Sequence, residues 1–265
     1  MRWPENKAMT MPTVFVSHGS PMLILEEHRP ARAFLASLAE ALPRRPRAIV
    51  AVSAHWETDV PAVSTTHRPS TIHDFYGFPA ALYALSYGPP GAPELAERVA
   101  RLTGAAHDPH RGLDHGAWVP AKLAWPEADI PMFQLSVQPD QSPAHHIELG
   151  RKIAALREDD ILVMGSGSAT HNLRALVRSG GDDTQPEPWA QAFDDWLAKT
   201  VAAGDEAALA DYRRQAPYAV EAHPSDEHFL PIHVAFGAAG KGARGRALHR
   251  SFTLGNLSMA SYAFD

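Results

Sequence analysis

The sequence predicts an α/β fold with a central, mostly parallel or mixed β-sheet flanked by helices, and a metal site at the carboxyl-end rim of the strands. Three apolar runs each lead into a Gly- or Ser-containing segment that carries a histidine: 13–17 before His18, 48–54 before His55, and 161–165 before His171. A helical pattern separates the first two runs, and strand–helix–strand order is typical of a parallel crossover. We therefore expect His18 and His55 at the same edge of neighbouring strands, where α/β sheets bind ligands.

The remaining elements follow from apolar spacing and from the residues that start or stop helices. Apolar residues recurring on one side predict helix 26–42, which Pro43 ends, and Ser142 is the expected N-cap of helix 142–157. The other predicted elements are strands 60–64, 132–137 and 254–264, an aromatic loop at 72–79, helices 92–103, 187–203 and 205–214, and a last apolar helix that stops at Gly237 or Gly240.

Length and composition restrict the classes of function. The 265 residues, 45% of them hydrophobic, fit a single domain, 1–265, in which residues 1–11 form an N-terminal extension. A net charge of −6 without a Lys/Arg block indicates neither a nucleic-acid nor a membrane partner. No stretch reads as a signal peptide or membrane span, so we expect a cytoplasmic location. Because cysteine is absent, nitrogen and oxygen must hold any metal.

The number of histidines, 15, is the most informative feature of the composition. Neutral imidazole is the commonest protein metal ligand, but His18 and His55 need further ligands to make a site. From the residues alone, the candidates are His115, His171, His223, His228 and His233. Six others lie among polar, Pro or Gly neighbours and are expected to face solvent: His67, His107, His110, His145, His146 and His249.

Such a site has a limited range of chemistry. A metal with three protein ligands and open positions acts as a Lewis acid or binds water, an anionic substrate or dioxygen. A further unligated histidine would serve as general acid and base. The segment 165–168, Gly-Ser-Gly-Ser, resembles a phosphate loop but lacks the lysine that such a loop needs. Glycines on both sides of Asp114 and His115 suit a backbone that comes close to a ligand.

Six motifs in a fixed order, within a match that runs from about residue 12 to 262, resemble the class III extradiol ring-cleavage dioxygenases, and among these the single-chain 4,5-DOPA extradiol dioxygenase type. The motifs are Ser-His-Gly-Ser-Pro at 17–21, Ser-Ala-His-Trp-Glu at 53–57, His-Asp-Phe-Tyr-Gly-Phe-Pro at 73–79, Gly-Leu-Asp-His-Gly-Ala-Trp at 112–118, Gly-Ser-Gly at 165–167 with His-Asn-Leu at 171–173, and Glu-His-Phe-Leu-Pro at 227–231.

The resemblance implies one divalent metal ion, usually non-haem Fe(II), that binds a catechol through both hydroxyl oxygens with dioxygen beside it. The carbon–carbon bond next to the diol is then cleaved. By this resemblance the metal ligands fall on His18, His55 and His228. Only the Glu-His-Phe-Leu-Pro match selects His228 over His223 and His233, and a packed or surface role is favoured for His233.

The resemblance also implies roles in catalysis. The acid/base position falls on His171, and His115 lines the site with it as a second catalytic candidate. We expect His171 to take a catechol hydroxyl proton and to return a proton later in the reaction. Tyr76, Trp118 and Tyr262 are candidates for the wall against which the substrate packs, and ordinary packing is the alternative for each.

One departure from the better-known relatives affects the choice of metal. Those relatives complete the site with a carboxylate, as in the facial triad of non-haem iron oxygenases, whereas a third imidazole stands here. A neutral three-histidine set suits Zn²⁺ as readily as Fe²⁺. Asp226 and Glu227 remain possible ligands if the match in that loop is shifted.

Two other classes of function fit the same residues. Three histidines and a water also make a hydrolytic zinc site, and a non-catalytic metal-binding or interaction protein of the same fold is a third interpretation. Arg111 and Arg174 are the candidates to meet a carboxylate on the substrate. The sequence leaves the particular catechol and the oligomeric state open.

Overall fold

Alternate residues of the central strands point to opposite faces of one sheet, and helices bury both faces. Ile49 and Ala51 join one hydrophobic cluster, whereas Val50 and Val52 join another. This is the pattern of a strand covered on both sides. The structure is a computed structural model that describes residues 10–176 and 185–265.

The sheet has eight strands in the described part of the chain, and its centre is parallel. The order is β4-β3-β5-β2-β6-β1-β10-β7, in which β5, β2, β6 and β1 run parallel and β10 is antiparallel to both of its neighbours, β1 and β7. The strands, including the separate β8–β9 pair, are β1 Thr13–Ser17, β2 Ala48–Glu57, β3 Ala62–Ser64, β4 Ala106–Asp108, β5 Met132–Val137, β6 Ile161–Gly167, β7 Gly245–His249, β8 Phe252–Thr253, β9 Leu257–Ser258 and β10 Ser261–Phe264. The predicted α/β class with a mixed, mostly parallel sheet is confirmed.

Helices cover the two faces in separate groups. The α-helices are α1 Pro30–Ala36, α2 Ala80–Tyr83, α3 Pro93–Thr103, α4 His115–Ala124, α5 Pro143–Lys152, α6 Pro188–Ala203, α7 Glu206–Ala210, α8 Tyr212–Gln215, α9 Ala219–Ala222 and α10 Leu230–Ala238. Helices α1 and α4 pack on one face, and α3, α5, α6 and α10 pack on the other. Within the described ranges, no helix is long and apolar enough to cross a membrane.

Two predicted helices are shorter in the structure. The predicted helix 26–42 is wrong as a single element, because Pro30 starts α1 at its first position and the chain tightens into a 3-10 turn after Ala36. The predicted helix 142–157 ends at Lys152, and a second 3-10 turn follows it. Its N-cap is confirmed, since the Ser142 side chain accepts a hydrogen bond from the backbone N–H of His145.

The order of the strands corrects a second prediction. Strands β1 and β2 are not neighbours, because β6 lies between them and pairs with both in parallel register. The long-range pairing of β6 decides this order, and the strand–helix–strand pattern does not encode it. The prediction that both strands end at the same edge still holds, with β6 ending there too.

Four elements differ from the sequence prediction near the site and at the C-terminus. Strand β2 runs to Glu57, so His55 lies within the strand and not after it. Helix α4 and strand β7 were not predicted at all. The predicted closing strand 254–264 is divided into β9 and β10.

The first residues of the N-terminal extension, 1–9, lie outside the described residues. Met11 is fully buried, and its N–H donates to the carbonyl of Arg157. The end of the extension is therefore anchored to the domain core.

Candidate metal centre

The carboxyl ends of β1, β6 and β2 bring two histidines and a serine together. In β6, Gly167 pairs with Ser17 of β1, so His18 is the next residue beyond that strand. Ser166 pairs with Ser53 of β2, two residues before His55. The parallel register therefore places both imidazoles at one edge, as the sequence predicts for the sheet rim.

His228 reaches the same edge because glycine lets its backbone lie directly against β6. The N–H of Ser168 donates to the His228 carbonyl at 2.9 Å. A Cβ placed on Gly167 would overlap that carbonyl oxygen, and one on Gly165 would overlap the carbonyl of Pro231. The Gly-Ser-Gly-Ser segment that resembles a phosphate loop in sequence thus provides close backbone approach.

Three ring nitrogens converge at this edge. Nε2 of His55 lies 3.1 Å from Nε2 of His18 and 3.3 Å from Nε2 of His228. Ligands about 2.1 Å from a metal, at angles between octahedral and tetrahedral values, lie roughly 3.0–3.4 Å apart. Both spacings fit nitrogens that share one metal ion. In the described part of the chain, His18 and His55 also form a group with His115 whose ligand atoms all lie within 4.8 Å of one another, and His228 forms a second such group with His171 and Glu227.

Hydrogen bonds on the far side fix the rings of two of these histidines. Nδ1 of His18 lies 3.0 Å from Oγ of Ser166, and that hydroxyl donates to the carbonyl of Gly116. The hydroxyl proton is thus used, and Oγ accepts from His18. Nδ1 of His228 donates to Oε1 of Glu227 at 2.8 Å. In both rings Nε2 is left with its lone pair toward the centre, which is the state that binds a metal.

Burial keeps these imidazoles uncharged. Loss of solvent, and secondarily the neighbouring histidines, hold the pKa of His18 and of His228 well below the ordinary value. Burial likewise lowers the pKa of His55 to about 4. Neutral, deprotonated nitrogens are what a divalent cation requires of its ligands.

A buried carboxylate supports the strand segment that carries His55. Asp114 is fully buried and caps α4 through the N–H of Ala117. It also accepts hydrogen bonds from Ser53 at 2.6 Å, Gln134 at 2.8 Å and Arg111 at 2.6 Å. Nη2 of Arg111 donates further to the carbonyl of His55, so this end of the guanidinium holds the site together.

His171 lies beside the three converging nitrogens. Its ring stacks on that of His228, with centroids 3.4 Å apart and planes 12° apart. Its Nδ1 lies 3.9 Å from Oε1 of Glu227. Burial lowers the pKa of His171 to about 4, and the charge of Glu227 opposes part of that shift.

His115 faces the same centre from the start of α4. It is buried, with its ring centroid 4.0 Å from that of His55 and 5.3 Å from that of His18. Asp74 contacts it, with Oδ2 3.0 Å from Nδ1 of His115. Burial opposes ionisation of Asp74, but its hydrogen bonds to His115 and the charge there outweigh that effect and lower the carboxyl pKa to about 2.

Asp74 and Ser166 were not assigned roles from the sequence. Asp74 stands inside the aromatic motif at 73–79, and a lone acidic residue among aromatics is the one local signal that points to it. The partner of Ser166 is 148 residues away, and no local pattern connects the two.

The other histidines of the C-terminal motif lie away from this centre. Nε2 of His223 pairs with the carbonyl of Ala169, and both ring nitrogens of His233 face backbone carbonyls. Both side chains are fully buried in the domain interior. Asp226 pairs with Arg213 and with the hydroxyl of Tyr212, so it is occupied as well.

The three aromatic candidates for the substrate wall occupy very different places. Tyr76 is 91% exposed, on the loop that carries Asp74. Trp118 is fully buried, and its Nε1–H donates to the carbonyl of Ile72. Tyr262 is fully buried against Phe264. Of the three candidates, only Tyr76 has an accessible ring in this conformation.

Among the histidines expected to face solvent, His146 is an exception. It is fully buried, donates from Nδ1 to the carbonyl of Ser142, and accepts the N–H of Gln138 at Nε2. The polar neighbours in sequence are partners that fold around it, so the prediction of a surface position is wrong.

The fold and the cluster of histidines at the rim of its sheet are those of a metal-dependent α/β enzyme. A family model described as the catalytic LigB subunit of aromatic ring-opening dioxygenase matches residues 12–265. The chain belongs to this family and is an extradiol aromatic ring-opening dioxygenase, which acts on a small aromatic molecule and O2 with a metal.

Individual relatives agree with this assignment. A Beta vulgaris protein named 4,5-DOPA dioxygenase extradiol is 44% identical over 95% of this chain and 96% of its own. An Escherichia coli K12 protein of the same name is 40% identical over 86% of this chain and 85% of its own. The crystal structure of an uncharacterized Escherichia coli K12 protein superposes with a TM-score of 0.79 at 34% identity, covering 96% of this chain and 99% of that one.

Proposed function

We propose that this enzyme opens the ring of a catechol with a DOPA-like side chain, with the metal held by His18, His55 and His228. The observation that carries the proposal is the convergence of three Nε2 atoms at 3.1 and 3.3 Å. The names of the relatives support the choice of substrate, since they act on DOPA.

Fe(II) is the metal that we propose for activity. Bound there, it would supply the redox chemistry through which a catechol reacts with dioxygen. The neutral donor set also suits Zn²⁺, so a sample loaded with zinc would be folded and inactive.

His171 and His115 are the groups that we propose handle protons. Both face the centre without belonging to the three converging nitrogens. Because burial keeps His171 neutral at physiological pH, its free ring nitrogen accepts the catechol hydroxyl proton and later returns it. The stacking on His228 holds the ring in place while the proton moves.

Tyr76 is our proposed contact for the substrate ring, because it is the exposed aromatic on the loop beside His115 and Asp74. We also infer that residues 1–265 act as one domain and that the enzyme works in the cytoplasm. The surroundings of the five site histidines include the carboxylates of Asp74 and Glu227, which would favour a substrate with a positive group over one with an added carboxylate.

The test is anaerobic reconstitution with Fe(II), followed by L-DOPA and air, with oxygen uptake and the absorbance of a yellow ring-opened semialdehyde as readouts. We expect equal uptake of O2 and consumption of L-DOPA. Tyrosine, which lacks the second hydroxyl, is the matched control and should give neither signal. Activity of the zinc form without oxygen would overturn the proposal in favour of a hydrolase.

A further inference from the structure

Asp74 contacts two of the site histidines at once. Its Oδ1 accepts the backbone N–H of His115 at 2.9 Å. Its Oδ2 lies 3.0 Å from Nδ1 of His115 and 3.6 Å from Nδ1 of His55. The carboxylate therefore stands behind both rings, on the side away from the metal centre.

Oδ2 of Asp74 lies nearer to Nδ1 of His115 than to Nδ1 of His55, at 3.0 Å against 3.6 Å. Oδ2 of Asp74 and Nδ1 of His115 are both buried, and neither forms a well-aligned hydrogen bond with any other described residue. At 3.0 Å these two atoms are close without meeting the geometry of a hydrogen bond, and contacts at catalytic centres are often poorly aligned before the substrate is bound. Because a buried polar atom without a partner is costly, these two atoms are each other's natural partners.

The loop that carries Asp74 is anchored through the two residues that precede it. The N–H of Ile72 donates to the carbonyl of Leu113 at 2.8 Å, and the carbonyl of Ile72 accepts a hydrogen bond from Nε1–H of Trp118 at 3.0 Å. Nε2 of His73 pairs with the carbonyl of Leu85 at 2.9 Å. The carboxylate is thus placed in advance, at the N-terminus of α4, where the helix dipole favours negative charge.

We propose that Asp74 is a positioning residue that holds the Nδ1–H tautomer of His115 and thereby aims the lone pair of His115 Nε2 at the substrate. This inference rests on the proposed catalytic role of His115. One of the two catechol hydroxyl protons goes to Nε2 of His115 and the other to His171, and the resulting His115 imidazolium keeps its Nδ1–H against Asp74.

Glu227 occupies a similar position to Asp74, with the order of its two distances reversed. Glu227 also stands between a proposed ligand and a free histidine, but it lies 2.8 Å from the ligand His228 and 3.9 Å from His171. Asp74 has the reverse order, 3.0 Å to the free histidine and 3.6 Å to the ligand His55. We therefore expect loss of Asp74 to impair turnover more than metal retention, and loss of Glu227 to do the opposite.

The variant that tests this is Asp74→Asn. The asparagine carbonyl keeps the bond to the backbone N–H of His115 but turns an NH2 group toward Nδ1, which forces the proton to Nε2. We expect turnover to fall by at least about 10-fold, with iron content close to that of the wild type. In a His115→Ala background the same substitution should cost less than about 2-fold, since the residue it acts through is gone.

Two further measurements keep the inference testable. Nitrogen-15 NMR of the metal-free protein reports the His115 tautomer without any activity, so an inactive wild type would refute the proposed function and still test Asp74. We expect Nδ1–H in the wild type and Nε2–H in Asp74→Asn. Asp129→Asn, a surface charge loss beside Arg45, is the control and should change neither readout.

Three results would overturn the inference: the same tautomer in Asp74→Asn as in the wild type, losses that multiply in the double variant, or iron lost in proportion to activity. If Asp74→Asn does not fold, Asp74→Glu takes its place, and it should keep Nδ1–H in the NMR spectrum. A shift to Nε2–H with the carboxylate retained would count equally against the proposal.

Discussion

The imidazole of His171 lies parallel to that of His228, with their centroids 3.4 Å apart. A proposed metal ligand and the proposed acid/base catalyst are thus in van der Waals contact, and each ring limits the orientation of the other. The stacking can be retained when the ring nitrogens of His171 are removed.

The substitution His171→Phe removes the ring nitrogens of His171 and keeps an aromatic ring stacked on His228. We expect iron content within about 2-fold of the wild type, because the phenyl ring preserves the stack. We expect turnover to fall by roughly 100-fold or more, because general acid–base catalysis contributes roughly 10²–10⁴-fold. Iron analysis and oxygen uptake on the same sample measure both quantities. Loss of the iron together with activity would instead make His171 a metal ligand.

Gly167→Ala tests how His228 is positioned. The added methyl group would overlap the carbonyl of His228, so the segment must move away from β6 and the third imidazole with it. We expect metal affinity to fall at least about 10-fold, measured by competition with a chelator. Gly88→Ala is the matched control, because a Cβ at Gly88 meets nothing within 4 Å. Equal affinities in the two variants would contradict this account of the glycine.

Ser166→Ala removes the hydroxyl that accepts from Nδ1 of His18. The ring then loses the partner that fixes its tautomer, and we expect metal affinity to weaken by about 10- to 100-fold. Ser142→Ala removes a helix N-cap elsewhere and should lower stability by about 1 kcal/mol without changing metal affinity. Titration with Fe(II) under nitrogen separates the two effects, and an unchanged affinity in Ser166→Ala would refute the role of this serine.

The buried His146 predicts how stability depends on pH. Burial lowers its folded-state pKa to about 3. Since the unfolded side chain titrates near its ordinary value of about 6.5, the stabilisation is complete above that pH. It is lost at about 1.4 kcal/mol per pH unit as the pH falls toward the folded value.

Urea unfolding of the metal-free protein at several pH values between about 5 and 7.5 measures this dependence. The His146→Gln variant keeps polar groups at this position. Below about pH 6, we expect its free energy of unfolding to change less steeply with pH, by an amount that corresponds to about one proton fewer taken up on unfolding. His110→Gln, at an exposed position, is the control and should keep the wild-type slope. A slope unchanged in His146→Gln would show that this histidine is not buried in its neutral form.

Local patterns predicted the strands well because each buried strand carries its own apolar signature. The runs at 13–17, 48–54 and 161–165 all appear as strands, and their parallel direction follows from the helices between them. The position of β6 between β1 and β2 could not be predicted from local patterns, because it depends on pairing between segments far apart in the chain. The prediction of one helix over 26–42 was wrong because α1 begins only at Pro30. The spacing of the apolar residues does not reveal that boundary.

The candidate site shows the same division between local and long-range information. Strand-end position pointed to His18 and His55, whereas the choice of His228 came from family resemblance and stays a prediction, as do all the roles assigned to these side chains. The partners that hold the rings, Ser166 and Asp74, were missed because their contacts join segments distant in the chain. Local sequence identifies the histidines that could bind a metal, but it does not show which residues orient their rings.

The measurement that tests the account most directly is anomalous diffraction at the iron edge from crystals loaded with Fe(II) under nitrogen. We predict one anomalous peak about 2.1 Å from Nε2 of each of His18, His55 and His228, with His171 outside bonding distance. A peak bonded to His171 or to Glu227, or one that lacks His228, would contradict the proposed three-histidine centre.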